Sequence, residues 1–467
     1  YGLASVKQDN QSDYYLAKGV KVNLQAGDNF STKLGSDGST MLYTVITDLG
    51  KAGSTTGKDL QGINGGLTKK YVLGTDIDAN TTSTWNANAG FKPLGNDTTQ
   101  FTGRFDGLGH SITGLTINRP NESLVGLFGY TNGSDIRNVH LQGVNVKGGS
   151  NAGGLVGYNK SGAISNSSAE GNVSANATGG YVSAGGLVGQ NSEKISNSYA
   201  KCNGSATSGA SYAGGLMGWN DSGVISNSSA KGNVSATGAS YASAGGLVGQ
   251  SWHGEISNSS AEGNVSANAT GGYAYAGGLV GRNEDEAISN SSAIGKVSAT
   301  GAGASVGGLV GLNDNGAISN SSATGDVSAK STGVYAYVGG LIGKNANANV
   351  ADSNADGNVT VSIHQAAANT ALLQGQVFAG GLIGEQYATQ ANVLSNVKAN
   401  GDVSVIVHAN SVSEDYQNTK METLVYTGGL IGKNTNTNKL VLVKNAFSNC
   451  KVTAQLNAFS QSAPAYG

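Results

Sequence analysis

The stretch AGGLVGYNKSGAISNSSAEGNVSA, residues 152–175, decides the fold. It carries almost no charge, Gly and Asn punctuate it, and the chain repeats it with small changes. The first glycine of each Gly-Gly-Leu falls at positions 153, 185, 214, 245, 277, 307, 339, 380 and 428. A degenerate copy, VGLFGY, has Gly126 in the second-glycine position. The shared core reads GGLVGxNxxGxISNSSAxGxVSA. Variation collects between the final VSA and the next GGL, as in NATGGYVSA at 176–184 and QAAANTALLQGQVFA at 365–379. A constant core with insertions along one edge marks a solenoid, whose units stack on their neighbours.

Composition agrees. The 467 residues include 74 glycines and 3 prolines, with 12% charged and 38% hydrophobic residues. Gly costs about 1 kcal/mol per helical position, so such a chain is poor helix material. Disordered chains combine high net charge with few apolar residues, whereas this one has a net charge of -2 and apolar residues at fixed spacing. A near-neutral balance offers no basic stripe to neutralise phosphates, so no nucleic-acid partner is expected. No apolar run approaches the ~20 residues of a membrane span. The opening YGLASVKQ lacks a charged segment followed by an apolar one, so no signal peptide is expected and the chain reads as a mature or excised fragment.

The pieces GLVGYN, AISNSSA and GNVSA are short and strand-like, bounded by Gly or Asn. One ~30-residue repeat therefore makes about one coil of a parallel β-helix, with protruding loops. Ile164, Ala169, Val173 and Ala175 are expected to point inward; Ser165, Glu170, Asn172 and Ser174 outward. Stacking turns positions into columns. The ISNSSA asparagines Asn166, Asn197, Asn227, Asn258, Asn290 and Asn320 form one, preceded by Asn138 and continued by Asp352, Asn396 and Asn445; Asn159, Asn191, Asn220, Asn283, Asn313, Asn345 and Asn434 form another. Coils ~4.8 Å apart let side-chain amides hydrogen-bond from rung to rung. Asn also tolerates the left-handed backbone of a tight turn. Both columns read as structural ladders. The mixed-sign column Glu170, Lys201, Lys231, Glu262 reads as a solvated face. Cys202 and Cys450 share a stripe seven units apart, ~34 Å at one coil per unit. A disulfide needs Cα atoms within roughly 7 Å, so two unlinked thiols are expected.

Upstream, residues 19–49 read GVKVNLQAGDNFSTKLGSDGSTMLYTVITDL. Residues 59–79 read DLQGINGGLTKKYVLGTDIDA, and residues 91–118 read FKPLGNDTTQFTGRFDGLGHSITGLTIN. This succession, leading into VGLFGY and the GGLVG units, resembles filamentous-haemagglutinin-like adhesins of the two-partner secretion type. The Gly-Leu repeats resemble the GLUG motif of such adhesins and of some bacterial immunoglobulin A proteases outside their catalytic domains. The resemblance covers roughly residues 19–450. It implies an all-β, right-handed parallel β-helix at the bacterial surface or secreted from it. It also implies adhesion to host cells, matrix or other bacteria, through a surface glycan or protein, and an outer-membrane secretion partner for the full-length chain. Neither the family's amino-terminal secretion domain nor a carboxy-terminal anchor is recognisable. The expected organisation is an N-terminal β segment at 1–58, a lead-in to the β-helix at 59–150, the GLUG-repeat shaft at 151–450, and a tail or truncated coil at 451–467.

No catalytic, metal or cofactor site is expected. A glycosidase needs a carboxylate pair roughly 5–9.5 Å apart, whereas the repeat acids change sign from coil to coil. Glu284, Asp285 and Glu286 read as a solvated acidic bump. Arg104, Asp106 and His110 in GRFDGLGH have usable chemistry but sit in the lead-in motif. Binding leaves clearer traces. Aromatics recur before the Gly-Gly step at Tyr181, Tyr212, Tyr241, Tyr273, Tyr275, Tyr335 and Tyr337, with Phe378 and Tyr426 beyond. Tyr158, Trp219 and Trp252 follow it. Facing solvent, they would form stripes suited to sugar rings and protein hot spots; packed down, they would close the insertions over the shaft. N-x-S/T sequons recur, either as glycan acceptors or as by-products of Asn columns beside Ser-rich strands. The longer insertions at 360–379 and 404–427 are the expected special surface. The reading is a non-catalytic binding segment of a surface adhesin. A polysaccharide-cleaving β-helix enzyme and a ligand-free spacer are the alternatives.

Overall fold

The computed structural model describes residues 14, 16–17, 19–33, 38–364, 374–409, 422–436 and 441–458. The chain is a parallel β-solenoid of about ten turns. It forms two compact units. The first comprises Tyr1–Ala177, Val182–Ser205 and Gly215–Ala230; the second comprises Thr178–Tyr181, Ala206–Gly214 and Lys231–Gly467. Within the insertions singled out above, residues 365–373 and 410–421 lie outside the described residues.

The first unit begins with strands Gly27–Lys33 and Thr40–Ile46 paired antiparallel, Phe30 opposite Tyr43. Among the described residues the strand pairings that follow are parallel, and an isolated antiparallel bridge joins Gly90 to Ile117. Thr40–Ile46 pairs with Lys70–Leu73, then Arg104–Asp106, then Phe128–Arg137, then Val156–Ser165. The lead-in also holds short helical turns at Gln61–Gly65, Asn80–Thr84 and Trp85–Asn88. Its core is aromatic: Phe101 and Phe105 pack on Phe128 with ring centroids 4.7 and 5.3 Å away. The repeats that follow fill a thinner core with Leu, Ile, Val and Ala.

The second unit shows the repeat most regularly. The strands at Val280, Ile288, Ala293 and Val297 lie beside Val310, Ile318, Ala323 and Val327, like residue against like residue. Leu279, Leu309, Leu341 and Leu382 form a fully buried column. In the first unit Ile164, Ala169, Val173 and Ala175 are buried, while Ser165, Glu170, Asn172 and Ser174 take the solvent side. The second glycine of each Gly-Gly-Leu is there for space. A Cβ on Gly278 would stand 2.0 Å from the Gly308 carbonyl oxygen and 2.8 Å from the Ala293 Cβ. Any side chain would hold neighbouring coils apart.

The two asparagine columns divide the roles expected of both. Buried amides form the ladder: Asn159 Nδ2 donates to Asn191 Oδ1 at 2.8 Å, and Asn191 to Asn220 at 3.2 Å. In the second unit Asn283 donates to Asn313, Asn313 to Asn345, and Asn345 to Gln386, at 2.7–2.8 Å. The same nitrogens close their own turns, as Asn313 Nδ2 does on the Gly316 carbonyl at 2.7 Å. The column Asn166, Asn197, Asn227, Asn258, Asn290 and Asn320 instead occupies left-handed turns, φ +48° to +50°. That is the turn role expected of asparagine, and the turn aims the side chain away from the core; amide rungs appear further along the same column, where Asn396 donates to Asp352 at 2.8 Å and Asn445 to Asn396 at 3.0 Å. A serine ladder lies beside it and was not foreseen. Ser167 N donates to Ser198 Oγ at 3.2 Å, and Ser291 and Ser321 repeat the bond at 3.2 Å.

Both cysteines are free. Cys202 is buried, its thiol donates to the Ala169 carbonyl at 3.3 Å, and burial pushes its pKa up to about 12. Cys450 is half-buried.

Two outcomes are expected. Asn313→Ala orphans groups on three coils, at about 1 kcal/mol or more each, so it should lower stability by about 3 kcal/mol or more. Asn320→Gly keeps its turn and should change stability by less than about 0.5 kcal/mol. Urea melts with hydrogen exchange on the flanking coils measure both. A maleimide at pH 8 should label Cys450 but not Cys202 in the folded protein, and both in urea; equal labelling when folded would contradict the burial of Cys202.

Candidate binding face

Two columns supply the aromatic residues. One lies directly before the Ala/Val-Gly step, where Ser243, Tyr275, Ser305, Tyr337, Phe378 and Tyr426 succeed one another in register. Its serines turn back and bond the coil: Ser243 Oγ donates to Gly249 O at 2.7 Å, and Ser305 Oγ to Gly311 O at 2.8 Å. Its tyrosines are too large for that and extend along the surface. The second column lies two residues earlier and holds Tyr241, Tyr273 and Tyr335.

Because coils repeat at ~4.8 Å, in-register rings stack. In the second unit Tyr337 and Phe378 are 4.9 Å apart at 5°, and Phe378 and Tyr426 are 5.4 Å apart at 3°. Tyr335 stacks on Tyr337 at 6.0 Å, Tyr273 on Tyr275 at 6.3 Å, and Tyr181 on Tyr212 at 6.2 Å. Tyr212 and Tyr275 each contact Tyr241. In the first unit Tyr158 stacks on Tyr130 at 5.0 Å, and its column continues through Gln190 to the half-buried Trp219.

Cations lie over these rings, from the position after GLVG or GLIG, which sequence reasoning missed. Arg282 sits 6.0 Å from the Tyr241 centroid and 5.7 Å from Tyr275. Lys344 sits 4.8 Å from Tyr337, and Lys433 4.3 Å from Tyr426. Such contacts are worth ~0.5–1 kcal/mol at exposed sites. Acids temper the charge: Arg282 pairs with Glu284, and Lys344 with Glu385 at 3.0 Å. Burial raises the Tyr241, Tyr275 and Tyr337 hydroxyls above their ordinary range. A column alternating Arg or Lys with other residues, one per repeat, was the available signal.

The expected site residues differ in what they offer. Tyr181 is 68% exposed and Tyr273 51%. Tyr158, Tyr241, Tyr275, Tyr335, Tyr337, Trp219 and Trp252 are half-buried. Tyr212 is a correction: it is 7% exposed, with Tyr181 stacked on it and Tyr241 tilted against it, and offers no open ring. The acidic bump is a second correction. Glu286 is fully buried, its backbone carbonyl accepts from Asn283 at 2.8 Å, and Glu284 is tied to Arg282. Among the described residues no group of three or more His, Cys, Asp or Glu could hold a metal. Among the described residues no helix is long and apolar enough to cross a membrane.

The lead-in cluster is a clamp. Asp106 is buried and accepts from Tyr14, from Arg137 Nε at 2.6 Å, from Asn138 at 2.9 Å and from Leu108 N at 2.8 Å. Arg104 pairs with Asp135 at 3.3 Å. His110 is buried, with its Nδ1 3.4 Å from Asp76. Lys21 bonds Asp76 at 2.8 Å, so this clamp pins the segment before the first strand. The column Glu170, Lys201 and, in the second unit, Lys231, Glu262 forms exposed pairs at 3.4 and 2.6 Å.

Six stretches match the GLUG motif: 148–174, 209–235, 240–266, 272–298, 302–328 and 335–360. A stretch of 137 residues, 28% of the chain, is 44% identical to Halomucin of Haloquadratum walsbyi and spans 1% of that protein's length. Among solved structures, one assigned as an immunoglobulin A1 protease from Bacteroides ovatus is 23% identical. That likeness covers 64% of this chain and 78% of the other, with a TM-score of 0.42. An IgA1 protease structure is 14% identical over 83% of this chain and 24% of its own, with a TM-score of 0.25.

Partial burial alone would raise the Asp76 carboxyl. Hydrogen bonds from Lys21 and Ser111, with the Lys21 charge, outweigh it and hold the pKa at about 2. A carboxyl lowered by folding stabilises above its unfolded pKa of about 3.9 and loses that contribution as pH falls towards its folded value. Proteolysis of the Lys21 segment should therefore rise between about pH 4 and 2, and Asp76→Asn should show the same sensitivity already at pH 7.

Proposed function

We propose that the chain is a non-catalytic binding segment of a secreted or cell-surface adhesin. It attaches to host cells, matrix or other bacteria through the aromatic face of the second unit. The carrying observation is that Tyr273, Tyr275, Tyr335 and Tyr337 stand in register with Arg282 and Lys344 over their rings or beside them. Flat rings with adjacent cations and carboxylates match the chemistry of sugar rings and of protein hot spots. Repetition adds avidity: contacts too weak singly hold when several engage one surface. The likeness to Halomucin supports a surface or secreted location; that the segment belongs to an exoprotein of the filamentous-haemagglutinin type, exported by an outer-membrane partner, rests on the resemblance of residues 19–118.

One observation favours a second reading, a ligand-free spacer. The rings stack chiefly on one another, as in Tyr337–Phe378–Tyr426, and that also seals the surface.

A glycan array and a cell-binding assay separate the two. Under the adhesin reading the wild type binds, and Tyr275→Ala with Tyr337→Ala weakens binding about tenfold while leaving the circular dichroism unchanged. Tyr273→Ala alone, the more exposed ring, gives a smaller loss. No binding by the wild type supports the spacer; binding unchanged in the double variant removes the aromatic face as its seat.

A further inference from the structure

A groove of about 660 Å³ lies within the first unit. Asn166, Asn197 and Asn227 line it at one residue per coil, and Val20 and Lys21 of the segment before the first strand also line it. The left-handed turns fix these asparagines, and among the described residues their amides have no protein hydrogen-bond partner. Further along the same column, in the second unit, Asn396 donates to Asp352 at 2.8 Å and Asn445 to Asn396 at 3.0 Å. The groove amides are thus donors and acceptors left open in a row.

The backbone beside them is already used. Asn138 N donates to Ser165 O, Asn166 N to Ser196 O and Asn197 N to Ser226 O, each at 3.1 Å. An extended peptide adding itself as a strand would find no free ladder. The charges are used too: Lys21 is paired with Asp76, and the Tyr199 hydroxyl donates to Glu170 at 3.1 Å. His140 bonds Ser168 Oγ through Nδ1 at 2.9 Å, and burial followed by the Lys21 charge lowers its pKa, keeping the ring neutral. What remains is a row of amides, a neutral imidazole and one aromatic ring. That ring belongs to Tyr199, 42% exposed, in register with Ser229, where the two neighbouring repeats keep Ser168 and Ser229. The repeats differ here at a shared point, and the matched GLUG ranges pass from 174 to 209 over this coil.

We propose that this groove binds a neutral, extended oligosaccharide, about one sugar residue per coil. Its hydroxyls bond the amides of Asn166, Asn197 and Asn227 and the imidazole of His140, and one sugar face lies on Tyr199. The ~4.8 Å coil spacing is close to the length of one sugar residue in an extended chain, so amides and hydroxyls stay in phase across the groove. Amides that both donate and accept suit hydroxyl groups, and an aromatic face suits the apolar face of a pyranose.

The test is calorimetric titration of the full chain with neutral linear hexasaccharides: cellohexaose, xylohexaose, mannohexaose and maltohexaose. A hyaluronan hexasaccharide serves as the anionic comparison. At least one neutral hexasaccharide should bind, more tightly than the anionic one. The triple variant Asn166→Gly, Asn197→Gly, Asn227→Gly keeps the left-handed turns and removes the amides; it should bind about tenfold or more weakly with unchanged melting. Tyr199→Ser restores the residue of the two neighbouring repeats and should also weaken binding. If the triple variant melts early, Asn197→Gly and Tyr199→Ser carry the test alone. The proposal is overturned if no neutral hexasaccharide binds, if the anionic one binds better, or if the folded amide and tyrosine variants bind as the wild type does.

Discussion

The buried amide ladder is the interaction on which the rest depends. Asn159, Asn191, Asn220, Asn283, Asn313 and Asn345 are fully buried, and each has two amide hydrogens and one carbonyl to satisfy. One hydrogen closes the residue's own turn, as Asn159 does on the Gly162 carbonyl at 2.7 Å, and the other reaches the next coil. A net bond is worth about 1 kcal/mol, but an orphaned buried amide costs more. The ladder therefore acts chiefly against mistakes. A coil that slips in register leaves polar groups unpaired on both neighbours, and the cost recurs at every rung. Thr131 in the lead-in, Ser251 where Asn is replaced, and Gln386 further along are small departures in the same polar column.

Register secured inside dictates pattern outside. Gly278 admits the close approach, and once the approach is fixed every surface position becomes a column at one spacing. Aromatic rings at that spacing stack, like charges would repel, and the chain answers by alternation. Glu385 stands in register between Lys344 and Lys433, and Leu312 between Arg282 and Lys344. Tyrosines likewise alternate with serines at 243, 275, 305 and 337. Where the alternation ends, Tyr337, Phe378 and Tyr426 close into a continuous stack. A face of this kind is made by the same constraint as the core, so binding capacity and stability are not separate inventions.

The parallel coil and its inward positions were legible because period-two alternation around Ile164, Ala169 and Val173 survives every copy. Three things were not. Both asparagine columns look alike in sequence, and only the path of the turn tells that Asn159 is buried and Asn166 is outside. The acidic triplet at 284–286 reads as solvent-loving, yet the turn after Asn283 carries Glu286 inward. The lead-in departs from the repeat, so its antiparallel opening and short helical turns left no periodic trace. For the site, the recurrence of tyrosine was visible but its degree of exposure was not. Tyr181 and Tyr212 are the same residue type on adjacent repeats, one open and one covered, because they occupy columns two residues apart.

Repetition also bears on the kind of function such a surface supports. Catalysis needs unlike groups, with pKa values pushed apart, converging on one point. A solenoid of near-identical coils offers like groups in lines. The most concentrated chemistry in the chain, Asp106 with Arg137, Tyr14 and Asn138, is spent internally: the carboxylate already accepts four hydrogen bonds and pins a terminal segment. Lines of like groups suit ligands that are themselves periodic. A polymer with a repeat near the coil spacing meets the same partner at each step, and its affinity grows with length. The two candidate surfaces then differ in what they ask of such a polymer. The aromatic face presents rings with paired charges, and the groove beside Asn197 presents open amides with almost none.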